Sequence, residues 1–277
     1  MTTRKMSKLF TVLLFLFTVT TTLFPTTANA QESRNSKSIL LLGVDTGDLG
    51  RTEHGRSDVM MLLTVNSSTE VITVTSIPRD SYVMIPGYYM DKIIHAYAFG
   101  GADLSMQTVE NWFDIKIDNY IVVNMAGLKE IVDAVGGIDV VSPSTFTISG
   151  YDFVEGVETN LDGDKALAYS RERYTSGGDY GRQERQRQIV QSLISKMASF
   201  DSILNFQNVF ATMSNNIETD LNFLDLVQLF ADYRQLATNI EFYQLSGGGT
   251  MIDGIYYDLI YDDSFNEVIS NLSAQLN

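Results

Sequence analysis

Apolar runs bounded by turn residues recur along the chain and predict the strands of a sheet. The first run, residues 38–45, is apolar at nearly every position and ends in a carboxylate, which is typical of a fully buried strand. The next two runs are joined by a turn at residues 66–70. The expected strands span residues 38–45, 59–65, 71–77, 119–123, 138–141 and 240–245.

Other segments carry apolar residues at helical spacing and alternate with these strands. This alternation favours an α/β fold with a sheet covered on both faces. Residues 142–160 contain only short strand-like pieces, and Gly247, Gly248 and Gly249 predict a sharp turn. The expected helices span residues 102–113, 125–134, 161–169, 182–200, 203–217, 221–236 and 264–276.

The first 30 residues have the pattern of an export signal. Arg4, Lys5 and Lys8 precede an uncharged apolar run that is short for a membrane span, and Ala28-Asn29-Ala30 supplies small residues at a cleavage site. Cleavage after Ala30 is the first interpretation, and an uncleaved N-terminal anchor is the alternative. Residues 31–277 then form one exported domain, because no linker-like segment divides them.

Composition excludes several function classes. Without residues 1–30 the chain has 16 Lys and Arg against 34 Asp and Glu, a net charge of −18, which argues against nucleic-acid binding. The chain has no Cys and two His, so disulfides, thiolate chemistry and His-based sites are disfavoured. An anionic ligand would need a local cluster of positive charge.

Such a cluster lies between residues 171 and 187, where five arginines and no lysine occur. A guanidinium group can hold two phosphate oxygens at once, so a phosphate ligand is indicated. Arg171 and Arg173 are two apart and would share a face of an extended segment. In the following helix one face is expected to carry Arg182, Gln186, Ile189, Leu193 and Met197, with Arg185 at its edge and Arg187 pointing away. The alternative is a solvated basic helix.

Charged residues also follow or precede the first three strands. Asp45 ends the first strand, Arg56 and Asp58 precede the second, and Arg79 and Asp80 follow the third. Ligand groups gather beyond the carboxyl ends of strands in open α/β sheets, so one edge of the sheet is expected to carry these residues. Asp45 as a turn residue, or simple surface ion pairs, are the alternatives.

The motifs taken together resemble the LytR-CpsA-Psr family of envelope proteins, from about residue 38 to 200 and more loosely to the end. The resemblance rests on Asp45 with the five residues before it, Gly55-Arg56-Ser57-Asp58, Ser76-Ile77-Pro78-Arg79-Asp80, Gly136-Gly137-Ile138-Asp139-Val140, Leu161-Asp162-Gly163, Arg171-Glu172-Arg173, Asp179-Tyr180-Gly181-Arg182 and Arg185-Gln186. Family members commonly keep a transmembrane helix, whereas Ala28-Asn29-Ala30 here favours cleavage.

The resemblance implies an αβα sandwich whose central mixed sheet and helices enclose an apolar cavity for a polyprenyl chain. It implies transfer of a glycopolymer, such as teichoic acid or capsule, from a polyprenyl pyrophosphate carrier to peptidoglycan, at the outer face of the cell membrane. The cofactor would be Mg²⁺, with Mn²⁺ as the alternative. By this resemblance Asp45 and Asp58 hold the metal, and the pyrophosphate is bound by Arg56, Arg79, Arg171, Arg173, Arg182 and Gln186.

Charge stabilisation by arginines and a cation is also what cleavage of a phosphoanhydride requires. Arg79, Asp58 and Arg56 are therefore the expected catalytic residues, and Asp58 or Asp80 could accept the proton of an attacking sugar hydroxyl. Two alternatives use the same residues: a polyprenyl pyrophosphate hydrolase and a non-catalytic lipid-phosphate-binding protein.

Overall fold

The structure is a computed structural model, and it describes residues 36–48, 55–174, 177–200 and 216–276. These residues contain fourteen strands. These residues fall within one compact unit. The strands are β1 (Ser36–Val44), β2 (Val59–Asn66), β3 (Val71–Ser76), β4 (Tyr82–Met84), β5 (Met90–Lys92), β6 (Asn119–Asn124), β7 (Ile138–Val141), β8 (Phe146–Ile148), β9 (Tyr151–Phe153), β10 (Glu158–Leu161), β11 (Ile217–Thr219), β12 (Ile240–Gln244), β13 (Gly247–Ile252) and β14 (Ile255–Ile260).

Six α-helices and one 3₁₀-helix are described in the same ranges. Asn124 caps the second α-helix by accepting a hydrogen bond from Gly127 N, and Asp162 caps the third by accepting one from Lys165 N. The helices are α1 (His95–Phe113), α2 (Met125–Ala134), α3 (Gly163–Arg171), α4 (Gly178–Ala198), α5 (Phe223–Tyr233), the 3₁₀-helix Arg234–Thr238, and α6 (Asp262–Leu276).

Six of the strands form a central mixed sheet in the order β11-β6-β1-β2-β3-β12. Strand β1 is antiparallel to β2 and parallel to β6, and β2 is antiparallel to β3. The register pairs Gly43 at the end of β1 with Val59 at the start of β2. The end of β1, the start of β2 and the end of β3 therefore lie at the same edge of the sheet, as the sequence predicted.

The two faces of the sheet have different neighbours. Leu40, Leu42 and Leu62 belong to the main hydrophobic core, which includes buried residues of α1 and α6. Ile39 and Leu41 point to the opposite face, because side chains alternate along a strand, and that face lines a cavity covered by α4 and α5. The α/β fold with a central mixed sheet and helices is thus confirmed.

Several predicted elements have different bounds. Helix α1 begins at His95, with non-helical backbone at Gly100 and Gly101, and α4 begins at Gly178, before Arg182. Helix α3 continues to Arg171, so the prediction that Arg171 is extended was wrong.

The turn predicted at Gly247–Gly249 was also wrong, because these residues open strand β13. A Cβ at Gly247 would lie 2.4 Å from the Leu259 carbonyl oxygen, and one at Gly249 would meet the Tyr256 ring at 2.6 Å. The glycines permit close pairing with β14. The turn lies instead at Asp253 and Gly254, both of which have positive φ.

Two predictions fall on residues outside the described ranges. The export signal or anchor at residues 1–30 lies there entirely, and so does most of the helix expected at residues 203–217. The last residue of that helix, Ile217, begins strand β11 instead. Within the described ranges, every helix is too short or too polar to cross a lipid bilayer.

Candidate active site at the mouth of an apolar cavity

A cavity of about 860 Å³ lies between the sheet and the helices α2, α4 and α5. Most of its walls are aliphatic. Charged and polar side chains gather at the edge of the sheet that holds the ends of β1 and β3, and this edge is called the mouth below. The aliphatic walls include Ile39, Leu41, Leu63, Ile121, Leu128, Ile131, Ile189, Leu193, Met197, Leu226 and Leu229.

All eight site residues expected from the sequence line this one cavity. They come from five separate parts of the chain: the end of β1, the segment before β2, the loop after β3, the end of α3 with the residues beyond it, and α4. The expected convergence of these residues is therefore present in the fold. The eight are Asp45, Arg56, Asp58, Arg79, Arg171, Arg173, Arg182 and Gln186.

Asp45 and Arg56 are joined through the backbone at the end of β1. Asp45 Oδ1 accepts a hydrogen bond from Arg56 N at 2.8 Å, and Asp45 N donates to the Arg56 carbonyl at 3.2 Å. A Cβ at Gly55 would lie 2.7 Å from Asp45 Oδ1, so only glycine fits beside this carboxylate. The Arg56 side chain is half exposed and 3.9 Å from Asp45, which leaves it accessible to a ligand.

Arg79 lies among three carboxylates. Its Nη1 donates to Asp58 Oδ1 at 2.9 Å, and its Nε lies 3.4 Å from both Asp80 and Asp179. Burial lowers the pKa of Arg79, but the negative charges of Asp58, Asp179 and Asp80 raise it by more, so the pKa is above its usual value. Arg79 is therefore fixed as a cation before any ligand binds.

Asp179 connects Arg79 to helix α4. It lies in the first turn of the helix, and its Oδ1 is 2.6 Å from Arg182 Nη2. Burial lowers the pKa of Arg182, and this effect outweighs the opposing charge of Asp179. Because Arg182 is only 6% exposed, its charge is held in place at the cavity wall. The alternative of a solvated basic helix is thereby excluded for this residue.

Arg171 and Arg173 are exposed at the mouth, together with a neighbour that the sequence did not single out. The Tyr174 hydroxyl accepts a hydrogen bond from Arg173 Nη2 at 3.0 Å, and the Arg173 guanidinium lies 5.0 Å from the Tyr174 ring centroid. This hydrogen bond lowers the pKa of Tyr174, and the charges of Arg173, Arg171 and Arg79 lower it further. Three guanidinium groups thus act on one hydroxyl at the mouth.

Helix α4 divides its polar residues between the cavity and the surrounding fold. Gln186 lines the cavity and donates from Nε2 to the Ser170 carbonyl at 3.2 Å. Arg185 and Arg187 are buried but do not line the cavity. Arg187 donates to Gln244 Oε1 at 2.8 Å, outside the site, in keeping with its predicted position away from the inner face. Arg185, expected at the edge of that face, is fully buried and contacts Glu172 beside the cavity.

The two expected metal ligands, Asp45 and Asp58, both line the mouth. Among the described residues no group of three or more His, Cys, Asp or Glu side chains is arranged to hold a metal. Mg²⁺ is commonly bound by one or two carboxylates with substrate oxygens and waters, so this donor set fits Mg²⁺ bound together with a phosphorylated substrate.

Sequence reasoning missed Tyr174 and Asp179 as site residues. Both lie inside the motifs that carried the family resemblance or directly beside them, so the sequence offered a signal for each. Their contacts could not be predicted from the sequence, because Asp179 contacts Arg79, which is 100 residues away in the chain.

The fold and the mouth together define an α/β protein with a cation-rich anion site at the entrance of an apolar cavity, which is the form of site that an amphiphile with an anionic head group requires. The chain belongs to the LytR_cpsA_psr family, whose model matches residues 19–274, and the resemblance seen in the sequence is confirmed.

Named relatives cover most of the chain. The polyisoprenyl-teichoic acid–peptidoglycan teichoic acid transferase TagU of Enterococcus faecalis is 47% identical over 253 residues, which is 90% of this chain and 83% of that protein. The crystal structure of Bacillus subtilis TagU matches at a TM-score of 0.71 and 37% identity, covering 88% of this chain and 98% of that one. A structure of TagT bound to LI-WTA matches at a TM-score of 0.74 and 31% identity, covering 87% and 91%.

Proposed function

We propose that this protein transfers teichoic acid from a polyisoprenyl pyrophosphate carrier to peptidoglycan, outside the cytoplasmic membrane. The observation that carries the proposal is the joining of five guanidinium groups at the mouth to an aliphatic cavity of about 860 Å³. Binding sites typically measure about 300–1,000 Å³, so the cavity suits a large apolar ligand. The TagU relatives, at up to 47% identity, carry the name of this activity.

The arrangement supports binding of the carrier in two parts. The aliphatic walls would hold the polyisoprenyl chain, because apolar surface leaves water favourably. Arg79 and Arg182, both largely buried, and the exposed Arg56, Arg171 and Arg173 would hold the diphosphate. Guanidinium forks pair with phosphate oxygens through charge-assisted hydrogen bonds, so the head group fixes the position of the reacting phosphorus.

In the proposed reaction a sugar hydroxyl of peptidoglycan attacks the phosphorus distal to the lipid. A bond forms between the hydroxyl oxygen and that phosphorus, and the bond from the phosphorus to the bridging oxygen breaks, so polyisoprenyl phosphate leaves. Arg79 and its neighbours stabilise the charge that develops on the phosphate oxygens. Asp58 is the better candidate to accept the proton, because it lines the cavity and Asp80 does not.

Asp45 and Asp58 are the residues that would hold Mg²⁺, or Mn²⁺ as the alternative. When bound, the cation would neutralise negative charge on the diphosphate oxygens. Both carboxylates line the mouth, beside the arginines that would bind the same diphosphate, which supports this proposal.

The test combines purified protein with a polyisoprenyl pyrophosphate-linked teichoic acid precursor and peptidoglycan, with Mg²⁺ or with EDTA. The expected products are polymer attached to peptidoglycan and free polyisoprenyl phosphate. Release of polyisoprenyl phosphate and free polymer phosphate without peptidoglycan would indicate a hydrolase instead. Absence of both products with every component present would indicate a lipid-phosphate-binding protein. Native mass spectrometry of the protein from its own cells would reveal a retained lipid.

A further inference from the structure

We propose that Arg185 is a positioning residue, which fixes Arg171 and Arg173 at the mouth by holding the residue between them, Glu172. The inference rests on the proposed function, because it takes the ligand of these arginines to be the diphosphate of a lipid carrier. Arg185 itself does not line the cavity, so its effect on a ligand has to be transmitted through the fold.

Arg185 is fully buried and directs its guanidinium at Glu172. Its Nη2 donates to the backbone carbonyl of Glu172 and lies 3.2 Å from the carboxylate Oε2 of the same residue. The guanidinium also lies 5.1 Å from the ring centroid of Phe146, in the core beneath α3. Burial lowers the pKa of Arg185, and the charge of Glu172 opposes that effect. One side chain thus holds both the backbone and the carboxylate of Glu172.

Glu172 is 3% exposed, although Arg171 before it and Arg173 after it are exposed. It is the residue that ends helix α3, with an extended backbone at φ −64° and ψ 132°. Its Oε1 accepts a hydrogen bond from Tyr174 N at 2.6 Å. The carboxylate therefore joins Arg185 on helix α4 to the backbone beyond Arg173, and the chain is fixed on both sides of that arginine.

This arrangement has a consequence for binding. Two long exposed arginine side chains lose conformational freedom when they hold a ligand, and a mobile backbone would add to that loss. Because Arg185 and Glu172 fix the backbone within the folded protein, the Cα positions of Arg171 and Arg173 are defined before the ligand binds. A displacement of about 1 Å of a substrate-positioning group can reduce activity roughly 100-fold.

The same helix offers a matched control for a purely structural role. Arg187 is also buried, is ion-paired to Glu184 and donates to Gln244 Oε1, yet it lies outside the cavity. Arg185→Lys and Arg187→Lys each keep a charge and lose a fork. Both are expected to lower the thermal midpoint, and only Arg185→Lys is expected to weaken binding of the diphosphate.

The experiment measures the affinity of the full chain for geranylgeranyl pyrophosphate and for geranylgeraniol, which has the lipid without the phosphates. Arg185→Lys is expected to weaken binding of the pyrophosphate roughly 10- to 100-fold, the range for loss of one charge-assisted contact, and to leave binding of the alcohol unchanged. Glu172→Gln, which removes the partner's charge and keeps its shape, is expected to act in the same direction.

A double-mutant cycle tests transmission through Arg173. If Arg185 acts through this segment, adding Arg185→Lys to Arg173→Ala should cause a smaller further loss of affinity than in the wild type. Equal losses in both backgrounds would overturn the proposal, and so would unchanged pyrophosphate affinity in Arg185→Lys. Loss of the folded state in both Arg185→Lys and Glu172→Gln, with Arg187→Lys folded, would assign the pair to stability alone. A wild type that binds both lipids equally would instead refute the proposed function.

Discussion

Replacement of Arg79 by alanine is the most direct test of the mouth. The side chain is 17% exposed and makes a 2.9 Å hydrogen bond to Asp58 and 3.4 Å ion pairs with Asp80 and Asp179. Loss of a positioned donor to developing charge typically lowers turnover about 100- to 1,000-fold. We therefore expect transfer by Arg79→Ala to fall by about that factor, with the fold retained.

The expected cost in stability follows from the same contacts. A hydrogen bond to a charged group contributes about 1.5–3 kcal/mol, and two of the three carboxylates left behind, Asp80 and Asp179, still have Lys92 and Arg182 as partners. The free energy of unfolding should fall by roughly 2 kcal/mol, within the 5–15 kcal/mol that domains typically have. For a chain of this size the thermal midpoint would drop by about 4–8 °C.

The assay follows polymer attachment to peptidoglycan beside a thermal melt of the same preparation. Arg79→Lys serves as the control, because it keeps the charge and loses the planar fork, so an intermediate rate is expected. Near-normal turnover in Arg79→Ala would remove Arg79 from the mechanism. A collapsed thermal midpoint in Arg79→Ala, with Arg79→Lys folded and fully active, would show that the residue serves stability only.

Three further predictions address the cavity, the metal and the pH dependence. Leu193→Trp should fill the cavity and weaken binding of geranylgeranyl pyrophosphate but not of inorganic pyrophosphate, measured by calorimetry; equal weakening of both would contradict a lipid site. Asp45→Asn should raise the Mg²⁺ concentration needed for half-maximal transfer, and an unchanged requirement would exclude Asp45 as a ligand. Burial raises the pKa of Asp258, with Asp80 and Asp179 adding to it, so the folded state holds this proton more tightly than the unfolded state. Stability should therefore fall as pH rises from the unfolded pKa through the folded pKa, and chemical denaturation of Asp258→Asn over that range should lack this fall.

Much of the mouth was predictable because it depends on strand ends. An apolar run followed by a charged residue marks both the strand and the point where the chain leaves it, and this placed Asp45 and Arg79 at one edge of the sheet. The helical period of α4 was similarly informative. Arg182, Gln186, Ile189, Leu193 and Met197 all line the cavity, as their spacing predicted.

The cavity walls in the sheet could not be predicted, because nearly every position of β1 and β2 is apolar. Ile39 and Leu41 face the cavity, whereas Leu40 and Leu62 pack in the core, and no polar alternation in the sequence separates the two sets. The strand position of Gly247 could not be predicted for a different reason. A glycine triplet is typical of a turn, and only the contact with Leu259 shows that close strand pairing requires it here.

An acidic chain with an anion site presents an apparent conflict, which the local contacts resolve. The mouth residues Arg56, Arg79, Arg171, Arg173 and Arg182 carry five positive charges, and neighbouring guanidinium groups repel one another. Aspartates placed against the most buried of them offset that repulsion: Asp58 and Asp179 at Arg79, and Asp179 again at Arg182. With Asp45, Asp58 and Asp179 counted against the five arginines, this mouth set still has a net charge of +2, in a chain of formal charge −15. The acidic residues thus allow the arginines to be assembled before the substrate arrives, and the surplus positive charge remains available to a diphosphate.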